Sequence, residues 1–510
     1  YRSDAAAGVV NNITKNDTNG LELSGNVSAP FDSGGEQYRI SAIWGKTFER
    51  GHFLIAGDYS HTNELKRGDR DYLACPEAYT FRQDGTRADL INPRTGSYKC
   101  EDLTWGHIWL YNSGRPGNLQ LDGPGGPNTG LNTSPNRQVI LLQYQYPGEN
   151  LGIPAYGAPV NGADFGAPAG WFPTGYTTPT LAVQNSYHPF QEEQTIIPKT
   201  DLYTLYAEGS YEITDKIELF GEFLFNRRET YQNGWRQFWN YGYTSSIWAQ
   251  GFSGPNLLSP LAITNHNDSS QSVDYYRGIG GLRGKFGGNW KWEIYGQDSR
   301  RIGKDRNEEN LRDAYRAGYL QTSSCVGTTT PVSGRQCVDV RWGNPNFLRG
   351  DLTPQEVAFL FEWDEGKTTY TQLTGEAVIT GELFKLPGGP IGVAVGATAR
   401  RDEINDVPSE LVRSGNAWGT STSGITAGSS VTTEAFGEVS FPLLANVPFF
   451  QELTLSAAGR ITNVKATRAN PITGGVNEAS TNGNWAYQLG ADWGVAGWLR
   501  FRGSYGATFR

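Results

Sequence analysis

The residues best suited to bind something in this chain are aromatic. Trp235, Phe238, Trp239, Tyr241, Tyr243 and Trp248 crowd into the stretch ETYQNGWRQFWNYGYTSSIWAQGF, among Asn and Gln side chains. Ring faces stack on apolar ring surfaces, while the indole, phenol and neighbouring amide groups hydrogen-bond hydroxyls. That chemistry suits an oligosaccharide or a ligand bearing an aryl group. The same rings would also serve to pack loops together or to sit at a lipid–water interface. Arg277, Arg283 and Arg400 could guide an anionic chelate, although carboxylates such as Glu208, Glu222 and Glu376 are the commoner partners for such cations.

Catalytic chemistry has little footing. His52, His61, His107, His188 and His266 are scattered and never fall at metal-ligand spacing. No nucleophile elbow or phosphate-cradling loop is present. The runs DGPGG from Asp122 and NHND from Asn265 lack the terminal bidentate Glu of a calcium loop and read as turns. No enzyme, metal site or cofactor is expected. The four cysteines fall as Cys75 with Cys100 and Cys325 with Cys337, in Gly-, Thr- and Pro-rich sequence and without Cys-x-x-Cys spacing. Two local disulfides in an oxidising compartment are expected, each closing a loop for about 3 kcal/mol.

The bulk properties narrow the class. A net charge of -9 over 510 residues argues against nucleic acid, which needs a concentrated basic surface. Gly is abundant (65), aromatic residues reach 13% and Met is absent, a composition that points to barrels or sandwiches. The mean hydropathy of -0.50 says little, because a barrel strand shows only alternate residues to lipid.

Those side chains must be held by strands. In TQLTGEAVITGELFKLPGGPIGVAVGATARR, residues 371–401, Leu373, Ala377, Ile379 and Leu383 share one face at period two, and Gln372, Thr374, Glu376, Thr380 and Glu382 the other. After a turn, Ile391, Val393, Val395, Ala397 and Ala399 resume the apolar face. Each arm of about ten to thirteen residues could cross a bilayer as a tilted strand. The same alternation appears around Leu21–Val27, Tyr38–Trp44, Phe53–Tyr59, Tyr203–Ile213, Ile217–Phe225, Tyr276–Phe286, Trp290–Ile294, Phe436–Val439, Leu453–Leu455, Trp485–Trp493 and Leu499–Phe509. Three irregular links, about 61–200, 229–270 and 303–366, separate some of them. The last carries a short helix pattern, LTPQEVAFLFEW, with Pro354 near its start and Val357, Leu360 and Phe361 apolar. Tight turns alternate with longer links, as in an up-and-down barrel. The fold class expected is therefore all-β: an antiparallel transmembrane β-barrel with about thirteen strands and long loops on one side.

Three stretches resemble one family. YRSDAAAGVVNNITK, residues 1–15, is similar to the end of the plug in TonB-dependent outer-membrane receptors of proteobacterial type, usually close to YGSDAxAGVVNIITK. GELFKLPGGPIGVAVGATARRDE resembles a hairpin of the form GxLFxLPAGPVGxAxGxExRRE, and LRFRGSYGATFR a strand close to LRxRASYGxxFRAP. Arg2 and Asn12 stand where the family has Gly and Ile. The resemblance implies residues 1–16 as the end of a plug and 17–510 as part of a 22-stranded barrel, a fragment lacking most of the plug and the last strands. It also implies a place in the bacterial outer membrane, with lipid around the wall and energy from TonB through the missing N-terminal part. Active import of a scarce ligand such as an oligosaccharide is the activity implied. A ferric-siderophore receptor is the alternative within transport, and a passive porin or surface adhesin the alternative outside it.

Overall fold

The computed structural model describes residues 18–74, 188–239, 257–317, 324–342, 344–469 and 475–508. Between 75 and 187 it describes only 77, 79–89, 91, 98 and the strand backbones His107–Asn112, Ile140–Gln145 and Phe172–Thr174. The expected plug end therefore lies outside the described residues, as do Cys75 and Cys100.

Thirteen strands form one antiparallel sheet in strict sequence order. They are β1 (Gly20–Ser28), β2 (Gln37–Phe48), β3 (Gly51–Thr62), β4 (Lys199–Thr214), β5 (Ile217–Gln232), β6 (Ser269–Phe286), β7 (Trp290–Asn310), β8 (Phe361–Leu386), β9 (Gly389–Val407), β10 (Thr426–Val447), β11 (Phe450–Ala469), β12 (Val476–Ala496) and β13 (Leu499–Ala507). Each pairs only with its sequence neighbours, so the sheet is an open up-and-down meander. Tight turns all fall at one end, as between Thr214 and Ile217 or Phe286 and Trp290. Gly287 and Gly288, at φ +54° and +86°, supply the left-handed backbone that the second of these turns requires.

Register explains the two faces. Directly paired residues share a face, and one row runs Tyr211, Leu219, Leu282, Ile294, Ala377, Ala397, Ala435, Ile461, Trp485 across nine strands. The next row toward the turns adds Trp292, Ile379, Val395 and Tyr487. These side chains lie bare: Ile294 is 51% exposed and Val395 56%. A continuous apolar surface of this extent needs lipid against it. On the other face, Gln297, Thr374, Arg400 and Thr432 form one row, and Tyr295, Glu376, Thr398, Glu434 and Thr462 the next.

Two expectations are corrected here. The arms of the 371–401 hairpin are longer than ten to thirteen residues, at 26 and 19, because β8 starts at Phe361 inside the supposed third link. The alternation also stops short of Leu383: the β8–β9 register shifts between Glu382 and Lys385, and Leu383 and Phe384 are both exposed.

The largest buried cluster lies mostly outside this sheet, which contributes Phe361. It is built from the links at the end opposite the tight turns, with Trp342, Tyr315, Phe238, Phe347 and Phe359 fully enclosed. A second antiparallel sheet, Arg236–Trp239, Leu257–Thr264, His107–Asn112, Ile140–Gln145 and Phe172–Thr174, joins the first two long links. The expected short helix is Pro354–Leu360. Thr353 caps it, its Oγ1 accepting from the Glu356 N–H at 3.2 Å while its own N–H donates to Glu356 Oε2 at 2.8 Å. Phe361, expected in that helix, instead opens β8.

Candidate ligand-binding site

The links form a cap welded together by side chains. Phe238 stands edge-to-face against Tyr315, Trp342, Phe347 and Phe361, with ring centroids 5.6–6.2 Å apart. It is wholly buried, and that withdraws it from any ligand. The correction has a simple cause: on the strand Arg236–Trp239, residue 238 falls on the side facing the core. Trp235 remains part-buried, its Nε1 donating to Gln194 Oε1 at 3.2 Å. Trp239 meets Trp418 edge-on at 5.5 Å. Tyr241, Tyr243 and Trp248 lie outside the described residues.

Asp313 ties three segments of the cap. Its carboxylate accepts from the Val332 and Ser333 N–H groups at 3.0 and 2.6 Å and from Asn416 Nδ2 at 2.9 Å. Burial pushes this acid up, but the bonds donated by Ser333, Asn416 and Val332 outweigh it and hold the carboxyl below its ordinary value. The Cys325–Cys337 disulfide closes the loop that presents those N–H groups. Nearby, buried Glu356 takes a bidentate pair from Arg341, at 2.9 and 2.7 Å.

The first and third links meet at His188. Its Nδ1 accepts from the Phe190 N–H at 3.1 Å, so Nε2 carries the proton and donates to the Arg349 carbonyl at 2.7 Å. Burial pushes the imidazole down to about 4, the Arg349 carbonyl opposing and the Arg349 charge adding to it. An undocked His188, near 6.5, takes up a proton as pH falls through that value, whereas the docked ring stays neutral until about 4. Docking is therefore at full strength above pH 6.5 and weakens between 6.5 and 4. Hydrogen exchange in 189–194 and 344–350, corrected for intrinsic rates, will be faster at pH 5 than at pH 7. In His188→Gln that pH dependence will vanish.

Below the cap, the polar face of the sheet carries paired charges set among hydroxyls. Arg283 grips Glu218 through two bonds, at 2.9 and 2.8 Å; Arg277 donates to Glu222 at 2.9 Å and Arg460 to Glu434 at 2.5 Å. Arg400 pairs with Asp402 at 2.8 Å. Asp402 also accepts from Tyr370 Oη at 2.6 Å and Gln372 Nε2 at 2.8 Å. Around these stand Thr374, Thr398, Ser430 and Thr432. A cleft of about 460 Å³ opens on the same face nearer the turns, lined by Lys291, Thr380, Glu382, Glu438, Ser440 and Gln488. Among the described residues no group of three or more His, Cys, Asp or Glu could hold a metal ion. One face for lipid, one for water and a folded cap over one end are now in place. The sheet is built as a barrel wall.

No protein-family model matches the chain, and no curated protein matches it. Among solved structures it is similar to the copper transporter OprC, at 9% identity and a TM-score of 0.27, over 97% of this chain and 62% of that one. It is also similar to the ferric-catecholate import receptor Fiu from E. coli K12 in its open form, at 10% identity and a TM-score of 0.27, over 95% of this chain and 69% of that one. The chain thus spans about 62% of the length of OprC.

The Tyr370–Gln372–Asp402 cluster was missed by sequence reading. Alternation alone puts these residues on the wet face. Bringing 370 and 372 beside 402 needs the β8–β9 register, which no residue type announces.

Proposed function

We propose that this chain is the barrel region of a TonB-dependent outer-membrane receptor importing a neutral, hydroxyl-rich ligand such as an oligosaccharide. The reading treats the chain as a transporter and not an enzyme, set in the bacterial outer membrane. Its apolar face, the alternation of turns and links, and the motif resemblance at residues 1–15 support this. The observation that carries the ligand class is the pairing of the wall's arginines. Arg277, Arg283, Arg400 and Arg460 are each committed to a carboxylate, so they offer little to an anionic chelate. Beside them the wall presents hydroxyl, amide and carboxylate oxygens, which recognise sugar hydroxyls directionally, and Lys291 is the cation that lines the cleft. Trp235 and Trp239 at the cap, with Tyr370, Gln372 and Asp402 below, are the binding residues proposed.

Titration calorimetry on the detergent-solubilised chain tests this. Some neutral oligosaccharide in a size series will bind, and Asp402→Ala will weaken it about tenfold, the loss expected for one hydrogen bond to a charged group. Binding of a ferric catecholate that is insensitive to Asp402→Ala, with no oligosaccharide bound, sinks the ligand class and favours a siderophore receptor.

A further inference from the structure

Where the first link leaves β3 and the chain re-enters the sheet at β4, a series of side chains ties the two ends together. His61 and Asp201 are directly paired across these strands. His61 Nδ1 lies 2.7 Å from Asp201 Oδ1, which also accepts from Tyr59 Oη at 2.8 Å. On its other side, His61 Nε2 lies 2.9 Å from Asn63 Oδ1, and Asn63 Nδ2 donates to Glu36 Oε2 at 3.0 Å. Glu36 Oε1 accepts from the Gly34 N–H at 2.8 Å, which closes the turn before β2. Two backbone bonds run alongside, from the Asn63 N–H to the Glu36 carbonyl at 2.8 Å and from the Gly35 N–H to the Glu64 carbonyl at 3.3 Å.

The direction of each bond in this series fixes the state of the ring. The Asn63 amide and the Gly34 N–H hold the Glu36 carboxyl below its ordinary value, so Glu36 is an acceptor at neutral pH. Asn63 must then turn its NH2 toward Glu36 and its oxygen toward His61. Asp201 is an acceptor on the opposite side. Both ring nitrogens face acceptors, so both carry protons, and His61 is an imidazolium. A neutral ring would keep one of the two bonds and set a lone pair against an oxygen at the other. The remaining polar groups about the ring are Tyr38 on β2, with ring centroids 6.3 Å apart, and Lys199 on β4. The far end of the same link docks through His188, where the needs are reversed: Nδ1 must stay an acceptor for the Phe190 N–H, and a single proton on Nε2 goes to the Arg349 carbonyl.

We propose that the first link is seated at both ends only within a bounded range of pH, His61 setting the alkaline limit and His188 the acid limit. The seated state binds the second proton of His61, so that hold weakens as pH rises. It excludes a second proton from His188, so that hold weakens as pH falls. Loss of the His61 proton breaks the series at Asn63 and releases Glu36, and with it the turn at 33–36 and the start of the link at 63–66. Neither limit depends on the ligand class or on lipid around the wall.

The test uses the full chain in detergent. NMR of nitrogen-15-labelled histidine reads the rings directly, each assigned by its loss in the corresponding Gln variant. At pH 7 both nitrogens of His61 will show protonated shifts, and His188 will show one protonated and one unprotonated. Hydrogen exchange in 33–36 and 63–66, corrected for intrinsic rates, will be about tenfold faster at pH 9 than at pH 7, the size of one hydrogen bond to a charged group. In His61→Gln it will be fast at both pH values, and in His188→Gln the alkaline loss will remain. Asp201→Asn keeps the shape and removes the charge, so it will bring the loosening to lower pH. A singly protonated His61 at pH 7 overturns the proposal whatever the variants do. Alkaline loosening that survives in His61→Gln belongs to another group and overturns it too, as does a midpoint that Asp201→Asn leaves unmoved.

Discussion

Arginine placed at Ala397 will destabilise the chain in a bilayer by about 2–4 kcal/mol, and arginine placed next door at Thr398 will cost close to nothing. The two positions are adjacent in β9 and present opposite faces. Ala397 lies in the middle of the long apolar row, between Ala377 and Ala435. A guanidinium there must sit in hydrocarbon near the centre of the apolar band. Thr398 stands between Glu376 and Glu434, and its hydroxyl already donates to Glu376 at 3.1 Å. A cation at 398 gains carboxylate partners in a wet environment. Urea unfolding in lipid vesicles, followed by tryptophan fluorescence, measures both variants against the parent. Equal costs at the two positions would mean that both faces meet the same solvent, and the membrane assignment would fall. The comparison is internal, since the same residue enters at neighbouring positions of one strand paired on both sides.

How much of this was legible beforehand follows from the range of the interactions involved. Alternation is local, so the strands carried by Leu373–Ile379, Tyr203–Ile213 or Trp485–Trp493 could be read from their own residues, and the thirteen paired strands match the number expected. The tight turns could be read for the same reason. The cap could not. Its core joins Phe238, Tyr315, Trp342, Phe359 and Leu411, drawn from links far apart in sequence. Within each link the apolar residues are too few and irregular to declare a period. His107–Asn112 and Ile140–Gln145 pair with each other across a long Gly- and Pro-rich stretch, and composition there suggested only loop. The luminal charge pairs sit between these cases. Arg277 and Arg283 were expected to find carboxylates, and they do, but Arg283 takes Glu218 and Arg400 takes Asp402. Which acid serves which base depends on register, and register is set by the whole hairpin.

Phe238→Ala will cost the cap about 3–5 kcal/mol, the usual range for removing a buried aromatic ring. The ring sits at the centre of four others, so its removal leaves a void that Tyr315, Trp342, Phe347 and Phe361 cannot all close. Those partners belong to the third link and to the first residue of β8. Phe238 itself belongs to the second. Its loss therefore releases one link from another while leaving the paired strands intact. Limited proteolysis will show new cleavage in 233–268 and 311–360, with the strand content read by circular dichroism unchanged. Trp239→Ala removes only an edge contact with a part-buried Trp418, so the cap should keep most of its resistance. Ligand binding then separates two roles for the aromatic stretch. In Phe238→Ala, affinity will fall together with protease resistance, because the ring acts through the shape of the cap. In Trp239→Ala, affinity will fall while resistance holds, as expected of a ring that touches the ligand. Should Phe238→Ala leave the cap as resistant as before, the aromatic cluster is not what holds the second link, and the connection must run through Arg236 and His266, which pair with Glu309 and Glu308, instead.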